Sequence, residues 1–254
     1  MKTVFITGAV RNTGLKTAEK FASEGYNVVI TSRNQNDAEK TAERIGKEFN
    51  VKAKGYSLDM SDVKDIKRVF SEAEKYFGTI DVFVANAANL AVDFGVLNST
   101  EKNFEDVCNI NIKGNFFACQ TAAEIMKKNG GGSIVIIGSV HSLQAIHGRA
   151  LYTLSKGALL SLVKSMAVEL GYYGIRANYI SAGAIRTERW DEITEEAQNI
   201  RRSRYPIGRE SQPEEIANAV YYLGSDLSKT VTGCNLTIDS GISTCLLPFE
   251  KPKE

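Results

Sequence analysis

Short apolar runs alternate along the chain with longer segments in which apolar residues recur at helical spacing. The short runs have the length of buried strands, and the longer segments have the period of amphipathic helices. The predicted strands are 3–7, 27–31, 52–57, 81–85, 133–137, 176–180 and 235–238. The predicted helices are 13–23, 37–49, 62–77, 104–128, 152–170 and 213–224, with smaller helices between 188 and 205. Ser61 and Gly171 are expected as caps.

This alternation is typical of an α/β protein built on a doubly wound parallel sheet. We therefore expect a Rossmann-like fold with seven parallel strands and helices on both faces. The chain shows no linker rich in proline, serine or glycine and no shift in composition. Residues 1–254 are accordingly predicted to form a single domain.

Composition narrows the class of protein. Hydrophobic residues make up 43% of the chain and charged residues 24%, and 31 basic residues nearly balance 30 acidic ones. No nucleic-acid partner is expected from this balance, and no apolar run approaches the roughly 18 residues of a membrane span. Four scattered cysteines and two histidines predict neither a disulfide framework nor a metal site. Free thiols and an N-terminus that begins as a strand predict a cytoplasmic protein.

Tyr152 and Lys156 are four residues apart at the start of a helix-like segment, so they share one helix face. An ammonium one turn from a phenol stabilises the phenolate, which suits the phenol to general acid–base transfer. Ser139 follows the strand-like run 133–137, where its hydroxyl can bond the same oxygen. Alone, such a Tyr/Lys pair usually marks a solvated helix face, so its weight depends on other motifs.

With Ser139 thirteen residues before it, Tyr152-x-x-x-Lys156 resembles the signature of the short-chain dehydrogenase/reductase family, and the resemblance covers nearly the whole chain. It implies that Tyr152 gives a proton to a carbonyl oxygen, Ser139 holds that oxygen and Lys156 binds the nicotinamide ribose. The run 104–114 resembles the family's helix with the fourth catalytic residue, here Asn111, which would support a water-linked proton relay. The alternative for Asn111 is a satisfied core asparagine.

The turn after the first strand resembles the family's phosphate loop, Thr-Gly-x-x-x-Gly-x-Gly, with Asn12 at the place of the middle glycine. Asparagine tolerates left-handed backbone angles, so we expect the turn to survive. Glycines and free helix N–H groups in such a turn accept a pyrophosphate. The residues assigned to the phosphates are Gly8, Arg11, Asn12, Thr13 and Gly14.

The second strand ends in Ser32 and Arg33, where an NAD-binding fold would place an acidic residue. An arginine there can bind a 2′-phosphate through charge-assisted hydrogen bonds, and Arg11 can approach from the other side. The alternative is that both arginines are solvated loop residues. We therefore expect the cofactor to be NADP(H).

Three later segments complete the expected cofactor site by resemblance. An aspartate after the third strand meets the adenine ring in the family, although aspartate also favours plain turns. The segment after the fourth strand matches the family's Asn-Asn-Ala-Gly in part, and Ala182 replaces the proline of Asn-x-x-x-Pro-Gly-x-Ile-x-Thr after the sixth. The residues so assigned are Leu58, Asp59, Met60, Asn86, Ala87, Gly183, Ile185 and Thr187.

The family places a mobile lid over the substrate at 186–209, which here holds five acidic residues, six arginines and Trp190. Six arginines can select an anionic substrate, but the near balance of charge favours a solvated face. By the same resemblance the last helix and strand build a homotetramer. The apolar tail 242–254 is expected to pack on another subunit or near the substrate.

These residues together predict an NADP(H)-dependent oxidoreductase that interconverts a small ketone or aldehyde and its alcohol. A 3-oxoacyl-(acyl-carrier-protein) reductase is the nearest alternative, because acidic carrier proteins favour a basic rim and Lys127 and Lys128 supply part of one. A non-catalytic NADP(H)-binding sensor or scaffold is a third reading, since Asn12, Ala88 and Ala182 depart from the family pattern. The complete set of four catalytic residues argues against it.

Overall fold

A computed structural model describes residues 1–245, and these residues surround one seven-stranded sheet. The strands are β1 Thr3–Ile6, β2 Asn27–Ser32, β3 Ala53–Ser57, β4 Val82–Ala85, β5 Gly132–Ile137, β6 Ile175–Ala182 and β7 Asn235–Ile238. They lie in the order β3-β2-β1-β4-β5-β6-β7, and every neighbouring pair is parallel. The predicted parallel sheet is confirmed. Part of the predicted tail, 246–254, lies outside the described residues.

Eight α-helices connect and cover these strands within residues 1–245. They are α1 Asn12–Ser23, α2 Gln35–Phe49, α3 Val63–Phe77, α4 Glu101–Cys108, α5 Asn115–Lys128, α6 Ala150–Leu170, α7 Glu195–Arg202 and α8 Pro213–Gly224. None of them is both long enough and apolar enough to cross a membrane.

Of the two predicted caps, Gly171 is confirmed as the C-cap of α6, whereas the N-cap of α3 lies one residue beyond Ser61. Asp62, not Ser61, caps α3, because its carboxylate accepts a hydrogen bond from Lys64 N at 2.8 Å. At the end of α6 the chain continues into a 3₁₀ turn, Gly171–Tyr173. The left-handed residue that ends this turn is Gly174, with φ of 72°, whereas Gly171 keeps a helical φ of −56°.

The predicted helix 104–128 begins earlier, at α4, and is interrupted by a π-helical segment, Asn109–Gly114. Asn115 Nδ2 donates to Asn111 O at 2.9 Å and to Ile110 O at 3.3 Å, which engages two carbonyls inside the disturbed turn. A Cβ added to Gly114 would lie 2.0 Å from Met60 O. This helix therefore contacts the loop after β3 backbone to backbone, and only glycine fits at that point.

Apolar side chains fill both faces of the sheet. On one face Phe5 stacks on Phe70 of α3 with ring centres 4.1 Å apart, and this core continues to α5 and α6. On the other face Val4, Ile6 and Phe21 pack with α1, α2 and α8. The helices thus lie on both faces, as the doubly wound fold requires.

Candidate active site

The crevice where the site lies follows from the strand order. β1 and β4 are neighbours, yet the chain leaves them toward opposite halves of the sheet, and ligands of such folds bind beyond the carboxyl ends of these strands. Asn86, just after β4, donates through Nδ2 to Thr7 O at 2.9 Å and to Gly8 O at 2.8 Å. Asn86 therefore fastens the phosphate loop to the end of β4.

The phosphate loop has the backbone that the sequence predicted. Gly8 has φ of 65° and Asn12 has φ of 49°, so asparagine does take the left-handed angle at the family's glycine position. A Cβ on Gly14 would lie 2.4 Å from Gly8 O, which excludes any side chain there. No side chain caps the N-terminus of α1, where the buried Thr13 lies in the first turn, so its first N–H groups are left without a side-chain acceptor.

The side chain of Asn12 has a partner of its own. Its Nδ2 donates to Glu188 Oε2 at 3.0 Å, so the loop contacts the beginning of the predicted lid. This hydrogen bond, and to a smaller extent the charge of Arg11, lowers the pKa of Glu188 below its ordinary value. A carboxylate therefore lies beside the anion-binding turn.

Arg11 and Arg33 are both exposed, and neither is in an ion pair within residues 1–245. The Ser32 hydroxyl is engaged in the turn after β2, because its Oγ accepts a hydrogen bond from Asn34 N at 3.2 Å. Hydrogen bonds from Ser61, and more weakly the charge of Arg33, lower the pKa of Asp59. Arg33 and Asp59 thus lie on the same side of the crevice, with Arg33 available to an anion.

Asp59 is exposed, whereas its neighbours Leu58 and Met60 are 3% and 6% exposed and pack in the core. Asp59 also stabilises the turn after β3, because its Oδ1 accepts hydrogen bonds from Ser61 N at 2.8 Å and from Ser61 Oγ at 2.7 Å. Of the three residues after β3 that were predicted for the cofactor site, only Asp59 has an exposed side chain. Any contact of Leu58 and Met60 with a nucleotide is left to their backbone.

Tyr152 and Lys156 lie on one face of α6 as expected. The Lys156 side chain is buried, with Nζ 5.5 Å from the centre of the half-buried Tyr152 ring. Nζ donates to Ile137 O at 3.2 Å, at the carboxyl end of β5. This bond holds the ammonium between the sheet and the phenol, where it can stabilise the phenolate.

Ser139 follows β5 and is 7% exposed. Its Oγ accepts a hydrogen bond from His141 N at 3.2 Å, which begins a 3₁₀ turn, Val140–Ser142. The His141 ring meets the Tyr152 ring edge to face at 5.8 Å. Burial lowers the pKa of His141, and the charge of Arg149 lowers it further. His141 therefore lies between Ser139 and Tyr152 and contacts both.

Asn111 is fully buried in the π-helical segment, and its side chain makes three hydrogen bonds. Oδ1 accepts from Asn89 N at 2.7 Å, and Nδ2 donates to Asn89 O at 2.8 Å and to Ser155 Oγ at 3.0 Å. Ser155 precedes Lys156 on α6, so Asn111 ties the loop after β4 to the catalytic helix. The predicted helix disturbance is confirmed. The hydrogen bonds of its side chain also give Asn111 a structural role, because they connect Asn89 to Ser155.

Gly183, Ile185 and Thr187, which were predicted for the cofactor site, lie in the segment after β6. Ala182, which stands at the family's proline, is the last residue of β6 and pairs with Ile238. Gly183 approaches Asp239 so closely that a Cβ would lie 2.7 Å from its Cα. Ile185 and Thr187 follow, both half-buried, and Thr187 precedes the turn that carries Glu188.

Three of the six arginines in the predicted lid, 186–209, are in ion pairs. Arg202 donates through Nε and Nη2 to the two carboxylate oxygens of the buried Glu210 at 2.9 and 2.8 Å. Arg209 donates through Nη1 and Nη2 to the two carboxylate oxygens of Glu215. Arg186 contacts Asp191 and lies 3.6 Å from Glu210. Arg189, Arg201 and Arg204 are in no ion pair within residues 1–245. The expected small helices are present as a 3₁₀ turn, Glu188–Trp190, and α7.

Sequence reasoning missed two residues of the site. His141 carried a weak signal, since it follows Ser139 by two positions. Tyr179 carried almost none, because a tyrosine inside an apolar strand is usually a core residue. Its hydroxyl donates to Lys156 O at 3.1 Å and accepts from Ser139 N at 3.2 Å.

Comparison with known proteins decides the family. The family model described as enoyl-(acyl carrier protein) reductase matches residues 8–243, and solved short-chain dehydrogenase/reductase structures match the fold. The chain belongs to the short-chain dehydrogenase/reductase family. Within that family, an NADP-dependent mannitol dehydrogenase of Hypocrea jecorina is 34% identical over 248 residues, covering 96% of this chain and 92% of the relative.

Two further relatives of this short-chain dehydrogenase/reductase differ in substrate. A 3-oxoacyl-(acyl-carrier-protein) reductase of Thermotoga maritima is 34% identical over 244 residues, covering 95% of this chain and 97% of the relative. The crystal structure of a gluconate 5-dehydrogenase from Burkholderia cenocepacia, in complex with NADP and tartrate, has a TM-score of 0.90 at 29% identity and covers 96% of both chains. The protein is therefore an oxidoreductase, which confirms the main functional prediction and sets aside the non-catalytic alternative.

Proposed function

We propose that this protein is an NADP(H)-dependent oxidoreductase that reduces a small ketone or aldehyde to an alcohol and catalyses the reverse oxidation. The observation that carries the proposal is the buried ammonium of Lys156, 5.5 Å from the Tyr152 ring in the crevice at the carboxyl ends of the strands. A buried charge costs free energy unless it has partners, so its retention beside a phenol indicates a chemical purpose.

The residues present fit an NADP(H) cofactor. The uncapped N-terminus of α1 and the glycine-lined turn before it provide N–H donors for a pyrophosphate. Arg33 would pair with a 2′-phosphate, and Arg11 would approach it from the phosphate loop. Two relatives are described as NADP-dependent or bound to NADP, which supports the same choice. When bound, the nicotinamide supplies the hydride.

Each polar residue of the pocket has a role in this proposal. Tyr152 gives its phenolic proton to the carbonyl oxygen and takes it back in alcohol oxidation. Ser139 donates a hydrogen bond to the same oxygen. Lys156 binds the ribose hydroxyls and stabilises the Tyr152 phenolate, and Asn111 keeps the catalytic helix in register with the loop after β4. Asn111 also supports proton transfer between Lys156 and solvent.

The pocket favours hydroxylated substrates. The ring of His141 contacts the ring of Tyr152. Arg149 is half-buried at the N-cap position of α6, one turn before Tyr152, and its Nη1 donates to Leu90 O at 2.8 Å. Polar groups next to the proton donor suit a substrate that carries several hydroxyls or a carboxylate. Relatives described as mannitol and gluconate dehydrogenases act on compounds of that kind.

Acyl carrier protein reduction is the second candidate, supported by the relative from Thermotoga maritima. The basic rim that it needs is weak here. Lys127 lies over the Tyr173 ring at 4.1 Å, and Lys128 lies 3.8 Å from Glu74. Both lysines are therefore partly engaged within the chain.

The deciding experiment measures NADPH consumption by the purified protein against keto sugars, keto sugar acids, acetoacetyl-CoA and an acetoacetyl carrier protein. Turnover of hydroxylated carbonyl compounds well above that of both acetoacetyl thioesters supports the proposal. Preference for the carrier-protein substrate would replace the polyol reading with the second candidate. NADPH consumption with none of the compounds would overturn the proposal as a whole.

We further propose a single domain over 1–254, a cytoplasmic location and a homotetramer. The family match over residues 8–243 supports the single domain. The four free cysteines among residues 1–245 are compatible with a reducing compartment. Support for the tetramer comes from large apolar side chains left exposed on the surface, such as Val168 and Tyr172 at 84% and 94%.

A further inference from the structure

Tyr179 stands in the middle of β6, is 0% exposed and belongs to the core on the α6 side of the sheet. Burial raises the pKa of its hydroxyl to about 12, so the group is a neutral hydrogen-bonding phenol at any working pH. Its Oη donates to Lys156 O at 3.1 Å and accepts from Ser139 N at 3.2 Å. One hydroxyl therefore joins the backbones of two residues placed in the catalytic set.

The ring of Tyr179 occupies space that Gly138 leaves open. A Cβ added to Gly138 would lie 1.8 Å from the Cζ of that ring, closer than any contact between unbonded atoms. Gly138 has no positive φ and therefore no backbone need for glycine. A glycine is therefore needed at position 138, because the Tyr179 ring occupies the space where a side chain would lie.

The contacts form a closed ring around the end of β5. Lys156 Nζ donates to Ile137 O at 3.2 Å, and the chain runs from Ile137 through Gly138 to Ser139. Ser139 N donates to Tyr179 Oη, and Tyr179 Oη returns to the carbonyl of Lys156. Both ends of Lys156, ammonium and backbone, are therefore tied to the segment that carries Ser139.

From this geometry we propose that Tyr179 is a positioning residue, which fixes Ser139 and the Lys156 turn of α6 relative to each other through its hydroxyl. Tyr179 is fully buried, so its hydroxyl acts through the backbones of Ser139 and Lys156. The inference rests on the proposed function, because it assigns Tyr179 to the alignment of the proton-donor site. Small misplacements of such groups cost large factors in rate.

Tyr179→Phe removes the hydroxyl and keeps the ring. We expect kcat to fall by about 10-fold to 100-fold, because both the oxygen-holding serine and the lysine turn lose their common anchor. The Kd for NADPH should rise by roughly 3-fold to 10-fold, because a displaced Lys156 binds the cofactor less well. This rise is smaller than the effect of removing a charged hydrogen bond entirely. The KM for the carbonyl substrate should stay within about 2-fold, because the substrate pocket itself is intact.

The matched control is Tyr56→Phe. Tyr56 is another buried tyrosine of the same core, with its pKa also raised to about 12 by burial, and its hydroxyl has no hydrogen-bond partner among the described residues. It lies on β3, at the edge of the sheet. Tyr56→Phe should leave kcat, KM and the NADPH Kd unchanged.

A merely structural role predicts a different result. Tyr179→Phe would then lower the melting temperature while kcat and the NADPH Kd, measured well below that temperature, stayed within about 2-fold of wild type. That outcome would overturn the inference. Tyr152→Phe is assayed alongside: if it keeps full turnover, the proposed function fails, whereas an inactive Tyr152→Phe with an active Tyr179→Phe removes only the positioning role.

A second pair of variants separates the ring from the hydroxyl. Gly138→Ala should destabilise the protein through the clash with the ring, and Gly138→Ala combined with Tyr179→Leu should recover stability because the clash is relieved. The double variant should still lack the kcat of wild type, since no hydroxyl joins Ser139 and Lys156. Recovery of wild-type kcat in the double variant would contradict the proposal.

Discussion

At the scale of single residues, the main feature of the site is that Lys156 is buried with most of its hydrogen-bond donors unused. Its side chain is 3% exposed, and among residues 1–245 its ammonium donates only to Ile137 O. An ammonium carries three donors, so two remain for groups that enter the crevice. A buried charge with unused donors destabilises the empty protein and favours a ligand that supplies the missing acceptors.

The first prediction follows from this imbalance. Lys156→Met should abolish turnover and weaken NADPH binding, yet raise the melting temperature of the cofactor-free protein by about 2–4 °C, because an apolar chain of similar length replaces a buried charge. Differential scanning fluorimetry and NADPH titration measure the two effects. Lys164→Met, at an exposed position on the same helix, should change neither. A Lys156→Met protein that is less stable than wild type would show that the ammonium is already satisfied.

The second prediction concerns Arg33, which is exposed and free of ion pairs within the described part of the chain. Loss of one charge-assisted hydrogen bond costs about 1.5–3 kcal/mol, so Arg33→Ala should weaken NADPH by roughly 10-fold to 150-fold and leave NADH almost unchanged. Calorimetric titration of both nucleotides into wild type, Arg33→Ala and the surface control Lys40→Ala measures this. Equal small changes in the affinities for NADPH and NADH, or a wild type that binds NADH more tightly, would contradict the assignment of Arg33 to the 2′-phosphate.

At the scale of elements, apolar periodicity located every strand and most helices, because burial of a continuous face leaves a clear pattern. It did not locate the element ends, which depend on single hydrogen bonds such as the cap that Asp62 gives α3. It ran α4 and α5 together, because the π-helical segment joins them without a break in the helical backbone. The same limit applies to the site: Tyr152, Lys156 and Ser139 follow a recognisable spacing, whereas Tyr179 acts through a hydroxyl that no pattern reveals.

The third prediction tests how the predicted lid, 186–209, is anchored. Arg202 holds the pKa of the buried Glu210 at about 2, well below its ordinary value. A depressed folded-state pKa adds stability that is present above about pH 5 and is lost as the pH falls toward about 2. Glu210→Gln should therefore lower the melting temperature by roughly 4–8 °C at pH 7, and the difference from wild type should shrink as the pH falls below about 5.

Thermal melts of both proteins between pH 7 and pH 3 measure this difference. Glu215 is the matched control, because Arg209 likewise lowers its pKa to about 2 but the Glu215 side chain is 41% exposed. Solvent screens that pair, and glutamine can keep the helix cap, so Glu215→Gln should shift the melting temperature by less than about 2 °C. A gap between wild type and Glu210→Gln that is independent of pH would contradict the role of the Glu210 charge.

At the scale of the whole molecule, the strand order places β1 beside β4 and brings the phosphate loop, Asn86 and the Ser139 segment to one edge of the sheet. The alternation of strands and helices predicts this edge, because parallel strands all end on the same side. The outer surface is less predictable. Exposed apolar residues such as Leu97, Val168 and Tyr172 break no local rule, and their purpose depends on a partner surface.

The fourth prediction concerns assembly. Closed symmetric oligomers bury such apolar residues, so light scattering coupled to size exclusion should give a mass near four times 27.8 kDa at micromolar concentration. Val168→Glu, in the exposed part of α6, should shift that mass toward smaller species if this face is an interface. A wild-type protein that elutes only at 27.8 kDa would contradict the tetramer.

The central claim is that Tyr152 transfers the proton in an NADPH-dependent carbonyl reduction. Its most direct test is the rate of NADPH oxidation by wild type and Tyr152→Phe with the best carbonyl substrate, together with NADPH titration of both proteins. A general acid is worth about 100-fold to 10,000-fold, so Tyr152→Phe should lose that factor in kcat while its NADPH Kd stays within about 3-fold. A Tyr152→Phe enzyme that turns over at the wild-type rate would remove Tyr152 from the mechanism.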